Sequence, residues 1–167
     1  MTMTRILFVC TGNICRSPTA EAVARHAIQA AGLSDLIEVD SAGTHDFHVG
    51  EAPDPRTRKV ALRRGYDLGA LRARRLEAKD FHEFDLLLAM DATHLEYMRR
   101  TCPDACREKL ALFMRYARNY RLDEVPDPYY GGEKGFEAVL DYCEDAVEGL
   151  IQELIARSAR GGIGQGA

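Results

Sequence analysis

The sequence lacks an apolar run of the ~20 residues that a helix needs to cross a bilayer, so we expect no membrane partner. It also lacks an excess of positive charge, because its 22 Lys and Arg residues are outnumbered by 26 Asp and Glu residues, for a formal net charge of −4. Such a balance provides no overall positive field for nucleic acid, so we expect no nucleic-acid partner either. An anionic ligand would need positive potential that is concentrated locally.

A disulfide framework is also lacking. The five cysteines, at positions 10, 15, 102, 106 and 143, form an odd set without a secretory segment, which is typical of a reducing compartment. Residues 1–5 are too short and polar to be a targeting segment. We therefore expect a cytoplasmic protein. We interpret Cys102 and Cys106 as unrelated thiols, and a redox role for them stays open.

The length of the chain suits one domain, because 167 residues can bury about two thirds of their unfolded surface in a single core. No linker divides the sequence. We predict a folded domain over residues 1–157 and a disordered, glycine-rich tail over residues 158–167.

Apolar periodicity predicts strands alternating with helices. The strands are predicted at 5–9, 37–40, 84–89 and 110–114, and the helices at 17–30, 55–64, 79–83, 92–100 and 135–157. This alternation predicts a single doubly wound α/β domain, in which helices cover both faces of a parallel sheet.

The most informative segment is residues 10–18, Cys-Thr-Gly-Asn-Ile-Cys-Arg-Ser-Pro, which joins the first predicted strand to the first predicted helix. Gly12 and Asn13 suit left-handed positions of a tight loop, and Pro18 suits a first helical turn. Successive N–H groups of such a loop can converge on an anion, and the helix N-terminus adds further donors. The pattern predicts a phosphate-binding loop after strand one, at the edge where parallel sheets bind ligands.

Cys10 and Arg16 bracket this loop and indicate catalysis. The potential that binds phosphate also stabilises a thiolate, so we expect Cys10 to be a nucleophile at neutral pH. Arg16 can clamp two phosphate oxygens with its planar guanidinium, and Ser17 can donate a hydrogen bond to the sulfur. A buried structural cysteine is the alternative, but it would not need the glycine, asparagine, arginine and proline around it.

The chain resembles the low molecular weight protein tyrosine phosphatases through residues 9–18 and, in the same order, through residues 40–44, 84–91 and 127–131. The resemblance covers about residues 5–157. It implies strand order 2-1-3-4 for four parallel strands and hydrolysis of protein phosphotyrosine through a covalent phosphocysteine intermediate, without a cofactor. It also implies tyrosine-phosphorylated proteins as substrates, a bacterial tyrosine kinase as opposing partner and inorganic phosphate as product inhibitor.

Expulsion of a tyrosine oxygen from phosphorus calls for an acid, because the conjugate acid of a phenolate has a pKa of about 10. Asp127 lies in the segment Val-Pro-Asp-Pro-Tyr-Tyr, which taken alone is equally compatible with an ordinary Asp–Pro turn. By resemblance, Asp127 is the general acid and then the base for the water that hydrolyses phosphocysteine. Phe47, Tyr129 and Tyr130 are expected to form the walls of a slot that favours the long phosphotyrosine side chain.

Other residues are predicted to bind substrate or to support the loop. The expected substrate-binding residues of the loop are Thr11, Gly12, Asn13, Ile14, Cys15 and Ser17. We expect Ser41 to support Asn13 by a side-chain hydrogen bond and Asp91 to cap a helix. We predict no metal at His45 and His48, since no third ligand is evident and the phosphocysteine route needs none.

Three other functions share part of this pattern with phosphotyrosine hydrolysis. A thiol-dependent arsenate reductase shares this fold and loop, and Cys102 and Cys106 could superficially supply its relay, although relay cysteines are expected closer behind strand three. A phosphoarginine phosphatase would carry Thr in place of Ile14, and a phosphotyrosine-binding module would need no free thiol or acid. The resemblance also points to redox regulation through a reversible Cys10–Cys15 disulfide.

Overall fold

The computed structural model describes residues 3–164, which form one sheet with helices on both faces. The four strands are parallel in the order β2-β1-β3-β4: β1 Thr4–Cys10, β2 Ile37–Gly43, β3 Leu86–Ala89 and β4 Leu110–Leu112. The helices are α1 Arg16–Ala30, α2 Pro55–Arg63, α3 Asp80–Glu83, α4 Ala92–Thr101 and α5 Glu133–Gly164. Short 3₁₀ segments, Asp104–Lys109 and Phe113–Tyr116, flank β4. The predicted doubly wound α/β fold with strand order 2-1-3-4 is confirmed.

Alternation along β1 divides the core into two layers. Ile6 and Phe8 pack on one face of the sheet with apolar residues of α1 and α5. Leu7 and Val9 pack on the other face with residues of α4 such as Met98. Because successive side chains of a strand point to opposite faces, a continuously apolar strand is what a sheet covered on both sides requires. Within residues 3–164, no helix is long and apolar enough to span a membrane.

Several predicted boundaries differ from the structure. The strand β2 continues to Gly43, three residues past its predicted end, and β3 begins at Leu86, two residues after its predicted start. The strand predicted over 110–114 ends at Leu112, because Phe113 turns into the core and packs edge-on against Phe8 with 5.1 Å between ring centroids. The helix α5 extends to Gly164, so the disordered tail predicted from residue 158 is wrong for residues 158–164. An established helix gains a hydrogen bond with each added residue without a new nucleation step, and the Ala and Arg residues before the glycines are good helix formers. The rest of the predicted tail, residues 165–167, lies outside the described residues.

The sheet brings the carboxyl ends of β1 and β2 side by side. Their register continues to the pair Cys10 and Gly43, and beyond it Thr44 N–H donates to the Cys10 carbonyl at 2.9 Å. A Cβ on Gly43 would lie 2.6 Å from the Thr11 carbonyl oxygen, so this close approach requires glycine. The loop that follows β1 therefore lies directly against the end of β2.

Gly149 of α5 packs against the Tyr116 carbonyl so closely that no Cβ can be accommodated. We predict that Gly149→Ala lowers the free energy of unfolding by about 2–3 kcal/mol, because the overpacked helix must shift. Gly132→Ala is the control, since an added Cβ there meets no atom within 4 Å, and it should not lower stability. Urea denaturation measures both variants, and equal stability of the two would contradict the tight packing of α5.

Candidate active site

The loop between β1 and α1 turns at Asn13, the one non-glycine residue within residues 3–164 with a positive φ, 59°. Its side-chain amide donates to Ser17 Oγ at 2.8 Å and to Ser41 Oγ at 2.9 Å, and its Oδ1 accepts from Arg74 N–H at 3.0 Å. Ser41 Oγ in turn donates to Glu21 Oε1 at 2.6 Å. The structure thus places Ser41 beside Asn13, and these bonds tie the loop to its neighbours.

The backbone of this loop is arranged to bind an anion. Among residues 3–164, the N–H groups of residues 11–15 find no protein acceptor, and α1 begins at Arg16 without a side-chain cap. Unpaired N–H groups at a helix N-terminus attract negative charge, and the helix dipole adds to that attraction. We refer to these N–H groups of residues 11–15 as the phosphate cradle.

Cys10 lies at the base of the cradle and is 3% exposed. Its sulfur lies 2.9 Å from Ser17 Oγ. Because Asn13 already donates to Ser17 Oγ, the hydroxyl proton of Ser17 is free to point towards the sulfur. Ser17 can thus donate a hydrogen bond to the sulfur, as the sequence predicts.

Arg16 is buried, and protein groups hold its guanidinium in place. Its Nη1 donates to Asp91 Oδ2 at 2.8 Å and to the Val125 carbonyl at 3.0 Å. Burial acts to raise the pKa of Asp91, but hydrogen bonds from Thr93 and Arg16 outweigh it and lower that pKa to about 2. Asp91 also caps α4 by accepting the N–H groups of Thr93 and His94, as the sequence predicts. Sequence reasoning missed its ion pair with Arg16.

Asp127 approaches the same guanidinium from the segment before α5. Its Oδ2 lies 3.8 Å from Arg16 Nη2, and its side chain is half exposed. Its Oδ1 accepts from Tyr129 N–H at 3.0 Å, so the Asp–Pro turn offered as an alternative is present as well. The two roles are compatible because each uses one carboxylate oxygen. Val125 anchors this segment to the sheet, since its N–H donates to the carbonyl of Met90 at 2.8 Å.

The three aromatic residues predicted as slot walls all present surface to solvent. Phe47 is 69% exposed, Tyr129 36% and Tyr130 93%. Phe47 stacks on His45 with ring centroids 5.0 Å apart, and the two tyrosines meet edge-on at 5.0 Å. The Arg56 guanidinium lies over the Tyr129 ring at 5.2 Å. The segment after β2, which carries Phe47, and the segment before α5, which carries the two tyrosines, therefore both offer aromatic surface to a planar ligand.

His45 and His48 have local partners. His45 Nδ1 lies 2.8 Å from Thr44 Oγ1, and His48 Nδ1 lies 3.0 Å from Glu51 Oε2. The His48 ring packs over Gly12, where a Cβ would lie 2.9 Å from its Cδ2. In the part of the chain that the structure describes, no three His, Cys, Asp or Glu side chains are grouped to hold a metal ion.

The five cysteines, all free thiols, are divided between the two core layers. Cys15 and Cys143 pack in the same layer as Cys10, whereas Cys102 and Cys106 pack on the opposite face of the sheet. Burial raises the pKa of Cys15 to about 12, so this thiol stays protonated at neutral pH. The sheet thus separates Cys102 and Cys106 from the loop.

His94, which the sequence analysis did not single out, reaches the loop from α4. Its ring is 2% exposed, with Nε2 2.7 Å from Thr11 Oγ1 and Nδ1 accepting from Asp91 N–H at 3.2 Å. Burial lowers the pKa of His94 to about 4, although the Asp91 carboxylate opposes this effect, so the ring is neutral at pH 7. The available sequence signal is its place as the third residue of a capped helix.

The family model for low molecular weight phosphotyrosine protein phosphatase matches residues 5–160. The chain belongs to this family. A low molecular weight protein-tyrosine-phosphatase of Streptomyces coelicolor is 48% identical over 154 residues, which cover 88% of this chain and 91% of that protein. The low molecular weight phosphotyrosine protein phosphatase of Schizosaccharomyces pombe is 47% identical over 133 residues, 79% of this chain and 85% of that protein.

The chain is also similar in structure to a solved protein tyrosine phosphatase. The crystal structure of a protein tyrosine phosphatase from Entamoeba histolytica, with Hepes in the active site, has a TM-score of 0.90 at 42% identity and covers 93% of this chain and 99% of that one. The predicted family, fold and enzyme class, a low molecular weight protein-tyrosine phosphatase, are therefore confirmed.

The neutral ring of His94 is expected to make this phosphatase less stable in acid. A histidine in the unfolded chain has a pKa of about 6.5, whereas that of His94 in the folded protein is about 4. Between these values the unfolded chain binds more protons, so the free energy of unfolding falls as the pH is lowered through this window, and the contribution of His94 levels off below it. His94→Asn cannot titrate and should remove this contribution, about 3 kcal/mol in total.

Urea denaturation of the original protein and of His94→Asn, between about pH 7 and pH 4, measures this difference. If the free energy of unfolding changed with pH in the same way for both proteins, His94 would not be a buried, neutral histidine.

Proposed function

We propose that this enzyme hydrolyses phosphotyrosine in proteins through a phosphocysteine intermediate, with Cys10 as nucleophile, Arg16 as phosphate clamp and Asp127 as general acid and base. The observation that carries the proposal is the convergence of three groups on one loop. The buried sulfur lies at the base of the phosphate cradle. Asp91 holds Arg16 at 2.8 Å, and the carboxylate of Asp127 lies 3.8 Å from the same guanidinium.

In the first step the Cys10 thiolate attacks phosphorus, so that an S–P bond forms and the P–O bond to the tyrosine breaks. The cradle and Arg16 stabilise the charge on the three remaining phosphoryl oxygens. Asp127 donates its proton to the departing phenolate oxygen, which would otherwise leave slowly. Its half-exposed side chain suits a donor that acts at the rim of the site.

In the second step water hydrolyses the intermediate. The Asp127 carboxylate accepts a proton from the water as its oxygen attacks phosphorus, and the S–P bond breaks with its electron pair returning to Cys10. The hydrogen bond from Ser17, at 2.9 Å, favours the sulfur as a leaving group. Inorganic phosphate is released, and because the cradle also fits the free anion, we expect it to inhibit as a product.

Two features support phosphotyrosine over phosphoarginine. The exposed rings of Phe47, Tyr129 and Tyr130 offer apolar surface on which a flat aromatic ring can pack. Ile14 belongs to the apolar core and offers no polar partner. The guanidinium of phosphoarginine would lose hydration beside it without gaining a hydrogen bond.

The positions of the other cysteines favour hydrolysis over arsenate reduction. A relay must pass electrons by thiol exchange, which requires sulfurs to meet. Cys102 and Cys106 pack on the face of the sheet opposite to Cys10. A binding module without chemistry would have no need of a buried thiol and a proton donor at the same loop.

We also propose that the enzyme is cytoplasmic, acts on tyrosine-phosphorylated proteins and opposes a bacterial tyrosine kinase. Five free thiols suit a reducing compartment. The loop also suits redox regulation: peroxide would oxidise the Cys10 thiolate to a sulfenic acid and hydroxide, and the thiol of Cys15 would then displace water to form a disulfide. Burial of Cys15, which raises its pKa to about 12, supports its role as the second thiol rather than the first to be oxidised.

Cys10→Ser should abolish hydrolysis of p-nitrophenyl phosphate and retain binding of inorganic phosphate, because the hydroxyl cannot replace the thiolate while the cradle stays intact. Steady-state kinetics and calorimetry measure the two properties. Cys102→Ser, on the opposite face of the sheet, is the control and should keep the original rate. A residual rate of even a few per cent in Cys10→Ser would exclude the covalent route.

Asp127→Asn should lower kcat for phosphotyrosine by roughly 10²-fold to 10³-fold, the usual contribution of a general acid. The loss on p-nitrophenyl phosphate should be much smaller, because its leaving group needs little protonation. Asp123→Asn changes an exposed carboxylate in the same segment and should leave both rates unaltered. Equal losses of Asp127→Asn on the two substrates would assign Asp127 to the turn alone.

A further inference from the structure

Both ring nitrogens of His94 have a defined partner. Asp91 N–H donates to Nδ1 at 3.2 Å. Asp91 Oδ1 lies at the same distance from Nδ1 but forms no hydrogen bond with it, and instead accepts from the N–H groups of Thr93 and His94. The proton of the neutral ring therefore lies on Nε2. Nε2 lies 2.7 Å from Thr11 Oγ1, and its N–H is therefore the donor of that bond. The start of α4 thus fixes the tautomer, and the tautomer directs a hydrogen bond to the residue that follows the nucleophile.

Thr11 is held at two points by elements on either side of the loop. Its carbonyl accepts from His45 N–H at 3.0 Å, on the side of β2. Its hydroxyl accepts from His94, on the side of β3 and α4. Two fixed points on one residue restrict the orientation of the adjoining peptide groups, whose N–H groups belong to the phosphate cradle.

We propose that His94 is a positioning residue, which orients the phosphate cradle through Thr11 without touching the substrate. The inference rests on the proposed function of the Cys10 loop. Helix capping alone does not account for the hydrogen bond between His94 Nε2 and Thr11. The cap uses only Nδ1, and an asparagine would supply the same acceptor. The other ring nitrogen, Nε2, instead donates to Thr11 in the loop.

The charged and titratable groups that face His94 keep its ring neutral, with Nδ1 as acceptor and Nε2 as donor. Asp91 lies at the start of the same helix, Arg16 on α1, Asp127 on the segment before α5 and His45 on the segment after β2. Burial, together with the charge of Arg16 and with His45, lowers the pKa of His94, although the two carboxylates oppose this effect. The acceptor at Nδ1 and the donor at Nε2 are therefore both present at neutral pH.

A double-mutant cycle tests the proposal. His94→Asn keeps an acceptor near the place of Nδ1 but is too short to reach Thr11, and Thr11→Val removes the acceptor with little change of shape. Each should weaken binding of inorganic phosphate, measured by calorimetry, and lower kcat/KM for p-nitrophenyl phosphate by roughly fivefold to tenfold, the effect of one buried hydrogen bond. The double variant should lose no more than either single variant. His94→Gln, whose amide nitrogen can occupy the place of Nε2, should recover most of the phosphate binding.

His82→Asn is the matched control, because His82 is an exposed histidine on α3, and it should bind phosphate as the original protein does. Urea denaturation distinguishes positioning from capping, since a capping role alone would change stability and leave phosphate binding unaltered. Additive losses in the double variant, or unaltered phosphate binding in His94→Asn, would overturn the positioning role. Calorimetry measures phosphate binding without turnover, so it tests the role of His94 separately from the proposed mechanism. If the double-mutant cycle gives the expected phosphate affinities but no phosphocysteine forms, the proposed mechanism is refuted and the role of His94 is still supported.

Discussion

The shape of the phosphate cradle depends on the left-handed conformation of Asn13, at a φ of 59°. An L-residue adopts this conformation at a cost of roughly 1–2 kcal/mol, and three hydrogen bonds to the side chain offset it. The partners, Ser17, Ser41 and Arg74, belong to α1, β2 and the connection after α2. The turn is therefore stable only when these parts of the chain have come together, and the shape of the loop is a property of the assembled fold rather than of residues 10–18 alone.

The position of β1 between β2 and β3 explains how one loop acquires support on both sides. From the side of β2, Gly43 makes a close backbone approach and His45 donates to the loop. From the side of β3, Asp91 holds Arg16 and His94 holds Thr11. A loop at the edge strand of the sheet would have neighbours on one side only. The order 2-1-3-4 therefore determines the rigidity of the site as well as its location.

Local patterns predicted the strands, the helices and the chemical groups of the site, because each depends on neighbours within a few residues. Glu21, Arg74 and His94 escaped prediction, since their bonds join residues between 20 and 83 positions apart. Asp91 was predicted in part: a helix cap has a local sequence signature, whereas an ion pair with Arg16 has none. The prediction of a disordered tail was wrong for residues 158–164, because composition indicates disorder but does not capture the tendency of a preceding helix to continue.

The guanidinium of Arg16 is held by the protein itself, through Asp91 and the carbonyl of Val125. An arginine side chain carries about 2 kcal/mol of rotamer entropy, and at this site that freedom is lost during folding rather than at each encounter with a phosphate ester. In the proposed function, the guanidinium of Arg16 therefore needs no conformational search before it contacts a phosphate ester.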